Sequence, residues 1–215
     1  MEDSNNPFRK AGFGLLVIGI IDLGIIAYAI ANKISYSSSF NIFAVIAGIL
    51  LIKGGVKTAR AVRWFSAFLF VAFIGLLAVM PIITPVGLLI TQIKLNALSV
   101  VGSFAYGLVF VGVLIWVHIQ LSTPESLRVL EKAGYKTAKP KSAYIAGAGL
   151  LALAVGLSTA FLNGESAQKA KALAKEQLGP EFNYHVTSMT TFGRSGHASV
   201  AAYTDKEIHR VQVQW

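Results

Sequence analysis

The chain has 215 residues, of which 54% are hydrophobic and only 13% are charged, and its mean hydropathy is +0.62. Soluble domains carry about 25% charged residues, so this composition excludes an ordinary soluble domain and indicates an integral membrane protein. The absence of cysteine excludes disulfides, thiolate catalysis and cysteine-ligated metals. Because 13 of the 19 basic residues lie within residues 1–162 and form no patch at helical or strand spacing, the net charge of +9 does not indicate nucleic-acid binding.

Five apolar segments are candidate membrane spans. Four of them are long enough to cross a bilayer, at residues 11–31, 64–81, 98–121 and 143–162. A shorter run reaches that length over residues 38–56 if the Lys53 side chain extends towards the interface. The sequence therefore predicts a mostly α-helical fold, with a five-span transmembrane bundle over residues 1–162. A small extracytoplasmic α+β module follows over residues 163–215.

The distribution of basic residues predicts the orientation, because short cytoplasmic loops are rich in Lys and Arg. Residues 32–39 and the segment after the third span carry one basic residue each, whereas residues 53–63 carry four and residues 122–142 carry five. This alternation predicts a cytoplasmic N-terminus and an extracytoplasmic C-terminus. We expect a bacterial inner (plasma) membrane, with a mitochondrial inner membrane as the alternative. The first run is too long for a signal peptide and contains Asp22, which favours an uncleaved span.

Asp22 is the one charged residue within a long apolar run, LLVIGIIDLGIIAY. An ionised carboxylate near the bilayer centre costs at least about 3 kcal/mol, so it must be protonated, paired or hydrated. Three roles remain open: a hydrogen bond to Ser103 or Tyr106 of the fourth span, pairing with a partner's transmembrane helix, or a proton- or ion-coupled site. One carboxylate without a second titratable group is a poor proton relay, which favours packing or docking.

Three connections and one span have recognisable local patterns. Lys53–Arg63 carries cations within reach of anionic headgroups, and topology anchoring explains them most simply. Residues 82–97 predict either a short interfacial helix that starts at Thr84-Pro85 or a kinked extension of the third span. In residues 122–142, Thr123-Pro124-Glu125 starts a short helix that Gly134 ends. The fifth span carries small residues at a spacing of four, which predicts a helix-contact surface within the chain or towards a partner. They are Ala148, Ala152, Gly156 and Ala160.

The C-terminal module begins with a helix from Glu165 that Gly179-Pro180 ends. Its narrow apolar stripe consists of Ala167, Ala170, Leu173, Ala174 and Leu178. Three segments with β-strand character follow, at 182–192, 197–204 and 207–215, and they predict an antiparallel meander whose inner face the helix covers.

Two-residue turns at Arg194-Ser195 and Asp205-Lys206 would define the register of the meander. They predict Met189, Val200 and Val211 side by side on the inner face, followed by Thr191, Ala198 and Val213. The same register places His197 on the opposite face from His185 and His209. The two histidines that share a face then lie about 10 Å apart, which argues against a histidine metal site.

The helix, the stretch LGPEFNYHV and the meander resemble the outward-facing module of the cytochrome oxidase assembly factor one family. The matching residues run from Ala174 to Val186. The resemblance covers about a quarter of the chain, and the family has one membrane anchor where this chain has five predicted spans. The resemblance implies an assembly or accessory role in respiratory membranes and assigns no catalytic residue.

Motifs for catalysis and cofactor binding are absent from the sequence. It contains no Gly-x-Ser-x-Gly turn, P-loop or Gly-x-Gly-x-x-Gly loop, and His118 is the only histidine in a predicted span. Ser103 and His118 lie about 22 Å apart along one helix, too far for a dyad. We therefore expect no enzyme, no catalytic residue, no metal and no cofactor.

The resulting prediction is an accessory or assembly protein that docks on a membrane complex, with a respiratory oxidase as one candidate. Its partners would be the lipid bilayer and other membrane subunits. The alternative is a small proton- or ion-coupled transporter that uses Asp22, and no residue pattern identifies its substrate.

Overall fold

A computed structural model of the chain describes residues 6–33, 41–193 and 195–215. Within these residues it contains seven helices and three strands. They are α1 (Arg9–Ala31), α2 (Asn41–Ile52), α3 (Val56–Ile83), α4 (Val86–Gln120), α5 (Pro124–Lys132), α6 (Lys141–Asn163), α7 (Glu165–Leu178), β1 (Asn183–Phe192), β2 (Ser195–Tyr203) and β3 (Ile208–Gln214). The mostly helical fold with a C-terminal antiparallel sheet is confirmed.

In the described part of the chain, four helices rather than five are long and apolar enough to cross a membrane. They are α1, α3, α4 and α6. Helix α2 has 12 residues, which corresponds to about 18 Å, whereas the hydrocarbon core is about 30 Å thick. The predicted span 38–56 starts outside the described residues, and the helix ends before Gly54, whose φ is +79°. Helix α2 alone is therefore too short for the predicted second span.

Contacts divide the chain into two compact units, Met1–Phe73 with Leu108–Gly147 and Ile74–Gly107 with Ala148–Trp215. The predicted boundary between residues 162 and 163 stays a prediction. In the first unit, α1 and α2 form a tight antiparallel pair. A Cβ atom at Gly12 would lie 2.8 Å from the carbonyl oxygen of Gly48, and one at Gly19 would lie 3.0 Å from the backbone nitrogen of Val45. Glycine permits this backbone approach because it has no side chain.

The remaining helices of the first unit pack around aromatic and small residues. The rings of Phe73 in α3 and Phe110 in α4 lie 4.6 Å apart between their centroids. Gly147 of α6 lies close to the backbone of Phe68 in α3, where a Cβ atom would be 2.7 Å from the Phe68 carbonyl oxygen. These contacts pack the middle of α3 against α4 and against the start of α6.

Helix α5 begins and ends as the sequence predicts. Thr123 is its N-cap and accepts a hydrogen bond from the backbone N–H of Ser126 at 3.3 Å. Pro124 occupies the first helical position, and Gly134 follows the helix with φ +80°. Both signals are local, so the sequence alone is sufficient to predict them.

In the second unit, α4 is broken at Asn96, whose φ of −148° and ψ of 52° are not helical. Residues 86–95 therefore form a separate helical segment, which we call the α4 arm. Thr84 and Pro85 separate the arm from α3. The predicted short helix within 82–97 is thus present as residues 86–95, and the alternative, a kinked extension of the third span, is wrong.

The C-terminal helix and sheet form as predicted. Helix α7 ends at Gly179, whose φ of +95° suits glycine. Ala167, Ala170 and Ala174 of its stripe are fully buried. The three strands follow one another in the sheet in the order β1-β2-β3, each antiparallel to the next.

The predicted register is confirmed in the second hairpin and wrong in the first. Val200 lies opposite Val211, as predicted. Met189 lies opposite Ala198 instead of Val200, and Thr191 lies opposite Gly196 instead of Ala198. The strand is thus displaced by two residues, and a displacement of two keeps each side chain on the same face.

The position of the first turn explains this displacement. Phe192 lies opposite Ser195, so Ser195 belongs to the strand pairing and not to the turn at Arg194-Ser195 that the sequence predicts. Gly193 has φ +60°, which a two-residue hairpin turn requires and glycine adopts without strain. Arg194 itself lies outside the described residues.

A bulge in β1 changes which residues face the helix. The pairing shifts between Val186 and Ser188, so Thr187 is an extra residue. The shift brings Val186 opposite Val200 and into the core under α7, where it is fully buried. The strand pattern alone assigns Val186 to the wrong face.

The corrected register also changes the positions of the histidines. His185 lies opposite Ala201, and His209 lies opposite Ala202. Because neighbouring residues of β2 point to opposite faces, His185 and His209 do not share a face. The prediction that they do is wrong, and His185 instead shares its face with His197.

Candidate functional site

Asp22 lies in the first unit on the stripe of α1 that packs against α2. Its side chain is 3% exposed, and it follows Gly12, Leu15 and Gly19 at alternating steps of three and four. Since Gly19 contacts Val45, Asp22 is about level with the first turn of α2. The residue makes at least one hydrogen-bonding or electrostatic interaction, and a helix N-terminus also favours a carboxylate.

Ser103 and Tyr106, the predicted hydrogen-bond donors to Asp22, lie in the second unit. The Ser103 hydroxyl donates to the carbonyl of Ser99 in its own helix at 2.8 Å. It also lines a cavity of about 250 Å³ together with Gln92. Tyr106 is 37% exposed. The pairing of either residue with Asp22 stays a prediction.

The small-residue stripe of α6 is exposed along its whole length. Its members Ala148, Ala152, Gly156 and Ala160 are all exposed. A Cβ atom at Gly156 would meet no atom of the described chain within 4 Å. Helix α6 instead packs against α3 through Gly147 and Leu151. Of the two predicted uses of the stripe, contact within the chain is therefore not observed in the described residues.

The α4 arm holds the sheet through its polar side. The hydroxyl of Thr91, which is 1% exposed, donates to the carbonyl of Thr204 at 2.6 Å. Lys94 reaches the carbonyl of Asp205 at 3.4 Å. Gly87 lies against the ring of Tyr203, and burial raises the pKa of that tyrosine. The arm thus fixes the turn between β2 and β3.

The other side of the arm is apolar and exposed. Val86, Ile90 and Ile93 are 57%, 48% and 42% exposed. Together with Leu89, these three residues form one apolar side of the arm, which is the pattern of an interfacial helix. The arm can therefore contact a membrane surface on this side while it binds the sheet on the other.

Helices α3, α4 and α6 share a buried polar cluster that sequence reasoning misses. His118 Nδ1 lies 3.1 Å from the carbonyl oxygen of Arg63, and His118 Nε2 lies 3.4 Å from the hydroxyl of Tyr144. When Nδ1 donates its proton to the carbonyl, Nε2 accepts from the tyrosine. The Ser66 hydroxyl donates to the same carbonyl at 3.1 Å. The cluster joins three helices and satisfies their polar groups.

Arg63 is the centre of this cluster and is only 6% exposed. Its Nε donates to the Ser122 hydroxyl at 3.0 Å, and one terminal nitrogen donates to the carbonyls of Thr137 and Ala138 at 3.0 and 3.3 Å. The sequence indicates topology anchoring as the simplest role of this charge. No local signal predicts its hydrogen bonds to the 122–142 loop, because the partners lie 59 to 75 positions along the chain.

Burial also affects the titration of His185 in the C-terminal module. Its pKa is lowered below the usual 6.5, first by burial and then by the positive charge of Lys171. The folded module therefore favours the neutral imidazole. This residue is distinct from His209, which is exposed and lies 3.0 Å from a carboxylate oxygen of Glu207.

The chain matches no protein-family model, no curated protein and no solved structure. The resemblance of Ala174–Val186 to an oxidase assembly factor consequently stays a prediction.

Proposed function

We propose that this chain is a non-enzymatic, multi-pass membrane protein that docks on a membrane complex through the exposed stripe of α6 and the C-terminal module. One observation carries the proposal. In the most apolar part of α6 only 6% of the residues are buried, compared with 22%, 11% and 22% in α1, α3 and α4.

The composition of the exposed face favours a protein partner over lipid. Small residues at a spacing of four let two helix backbones approach closely, and the gain comes from the contacts between them. Against lipid, the same residues offer little surface for dispersion contacts. A partner helix that packs on Ala152 and Gly156 could approach the backbone of α6 closely along the stripe.

The proposed orientation places the module outside the cytoplasm. Helix α6 starts at Lys141, shortly after Lys136 and Lys139, and such basic residues favour the cytoplasmic side. Its 23 residues extend about 34 Å, enough to cross the membrane. The module follows directly, so it would reach the opposite side. We further propose that the segment 38–56 forms a fifth crossing in a bacterial inner membrane.

A respiratory oxidase is the first candidate complex. This choice rests only on the resemblance of the helix and strands after Glu165 to an assembly factor family. The free face of the sheet, which α7 does not cover, would supply the second contact.

The test is purification of the full chain from native membranes in a mild detergent, followed by mass spectrometry of proteins that co-elute at fixed ratio. Gly156→Leu blocks the stripe, whereas Ala154→Leu makes a comparable change on the opposite, exposed side of α6. We expect the partner to be lost with Gly156→Leu and retained with Ala154→Leu. A chain that elutes alone, or equal behaviour of the two variants, would overturn the proposal.

The second candidate function is proton- or ion-coupled transport, which the burial of Asp22 favours. Reconstituted chain would then show pH-dependent flux that disappears in Asp22→Asn. Under the docking proposal, liposomes show no such flux, and Asp22→Asn keeps its function wherever assembly survives.

A further inference from the structure

Six basic side chains surround one cavity at the starts of α3 and α6. The cavity has a volume of about 690 Å³. Its basic lining residues are Lys57, Arg60, Arg63, Lys136, Lys139 and Lys141. Among the described residues, no acidic side chain lines this cavity. The described cations there therefore lack a lining carboxylate, and an anion would relieve their repulsion.

The cavity is held together by hydrogen bonds rather than formed by loose side chains. Buried Arg63 binds the carbonyls of Thr137 and Ala138, which fixes the segment that carries Lys139. The guanidinium of Arg60 lies 4.9 Å from the ring centre of Tyr135. Together these contacts define a stable wall for a ligand.

A second cavity adjoins the first and has a mainly apolar lining. We call the first the basic cavity and the second the apolar groove. The apolar groove has a volume of about 810 Å³. Its lining includes Leu15, Phe43, Leu50, Phe110 and Leu114. The two cavities share Lys57, Ala61 and Phe65, which recur every four residues along one face of α3. Ala61 is small and exposed, so it leaves a passage between them.

We propose that these two cavities bind one anionic phospholipid, with its phosphate among the basic side chains and an acyl chain in the apolar groove. Basic pockets between transmembrane helices on the cytoplasmic side suit such headgroups. Along α3, the apolar groove extends from Lys57 to Leu69, about 18 Å. One leaflet of the hydrocarbon core is about 15 Å deep, so the groove matches the depth of one acyl chain.

The groove distinguishes a lipid from a soluble phosphate. A soluble anion would use the basic cavity alone and would gain nothing from the apolar lining. Phe65 lines both cavities and is exposed, and Trp64 lines the basic one. Aromatic rings are common at the membrane–water interface, where a lipid headgroup lies.

The first experiment measures lipid binding to the full chain in detergent. Thermal unfolding is followed by tryptophan fluorescence while phosphatidylglycerol, phosphatidylcholine or free glycerol phosphate is added. The variant Arg60→Gln/Lys139→Gln removes two exposed charges from the cavity. Its matched control, Lys53→Gln/Lys132→Gln, removes two exposed charges that do not line it.

We expect phosphatidylglycerol to raise the Tm of the wild-type chain and of the control variant. The cavity variant should require at least about tenfold more phosphatidylglycerol than the wild-type chain for the same rise in Tm. An equal loss in the control would show general attraction to anionic membranes and overturn the site. An equal rise with phosphatidylcholine or with glycerol phosphate would overturn the choice of an anionic lipid.

The second experiment tests the passage between the cavities. Ala61→Phe fills it, and Ala78→Phe places the same side chain on an exposed part of α3 that lines neither cavity. Lipid retained through purification is counted by mass spectrometry. We expect Ala61→Phe to lose the bound phosphatidylglycerol and Ala78→Phe to keep it. Equal retention would show that the acyl chain does not cross Ala61.

Discussion

The close contact between α1 and α2 predicts a large difference between two Gly→Ala changes in the same helix. A Cβ atom at Gly12 would lie 2.8 Å from the carbonyl oxygen of Gly48 and 2.9 Å from the backbone nitrogen of Ile52. One at Gly24 would meet no described atom within 4 Å. Both changes reduce the conformational entropy of the unfolded chain equally. The difference between their free energies of unfolding therefore isolates the cost of the clash at Gly12.

The magnitudes follow from this geometry. In a helix interior, Gly→Ala stabilises by about 0.5–1 kcal/mol, and Gly24→Ala should show this gain. Overpacking costs about 1–3 kcal/mol. The upper half of that range applies at Gly12, because backbone atoms cannot rotate away as a side chain can. We therefore expect Gly12→Ala to be less stable than Gly24→Ala by about 2–3 kcal/mol.

Reversible unfolding in mixed detergent and SDS micelles measures this difference. Tryptophan fluorescence provides the signal, since Trp116 packs against α1 at Gly14. A difference below about 0.5 kcal/mol, a typical value for surface substitutions, would show that the helices do not approach as closely as described. It would also remove the support that α2 gives to the position of Asp22.

Further predictions concern the arm, the module and the orientation. Thr91→Val leaves the buried carbonyl of Thr204 without its hydrogen-bond donor and costs about 1–3 kcal/mol locally. Hydrogen exchange in the β2–β3 turn should therefore accelerate. Unchanged exchange would show that the arm does not hold the turn. His185 has a lowered pKa, so its contribution to stability is complete above pH 6.5 and is lost as the pH falls below that value. Hydrogen exchange of β1, corrected for intrinsic rates, should show this loss, which His185→Gln but not His197→Gln should abolish. Because the chain has no cysteine, Lys132→Cys and Lys175→Cys can each be labelled alone in intact cells; an impermeant thiol reagent should modify only Lys175→Cys, and labelling of Lys132→Cys would reverse the proposed orientation.

Several features of the fold followed from local sequence signals. The apolar runs identified α1, α3, α4 and α6 as candidate spans, since length and hydropathy are properties of a single segment. Thr123, Pro124 and Gly134 predicted the bounds of α5 because caps depend on a few neighbouring residues. The alternation along the strands predicted the meander and the face that α7 covers.

The first hairpin shows that local sequence signals do not determine strand register. Alternation distinguishes the two faces of a strand, but a displacement by two residues preserves it. The turn at Gly193 and the bulge at Thr187 therefore decided the register and brought Val186 into the core. A pattern of period two contains no information about either event.

The sequence by itself thus determined the class of the protein, most of its helices and the order of its strands. Tertiary structure decided which residues meet: Arg63 with the 122–142 loop, Gly12 with Gly48, and the basic cavity with the apolar groove beside α3. The physical reason is distance along the chain. Caps and periodicity act over a few residues, whereas these contacts join segments 36 to 74 positions apart, and only the packed helices bring such segments together.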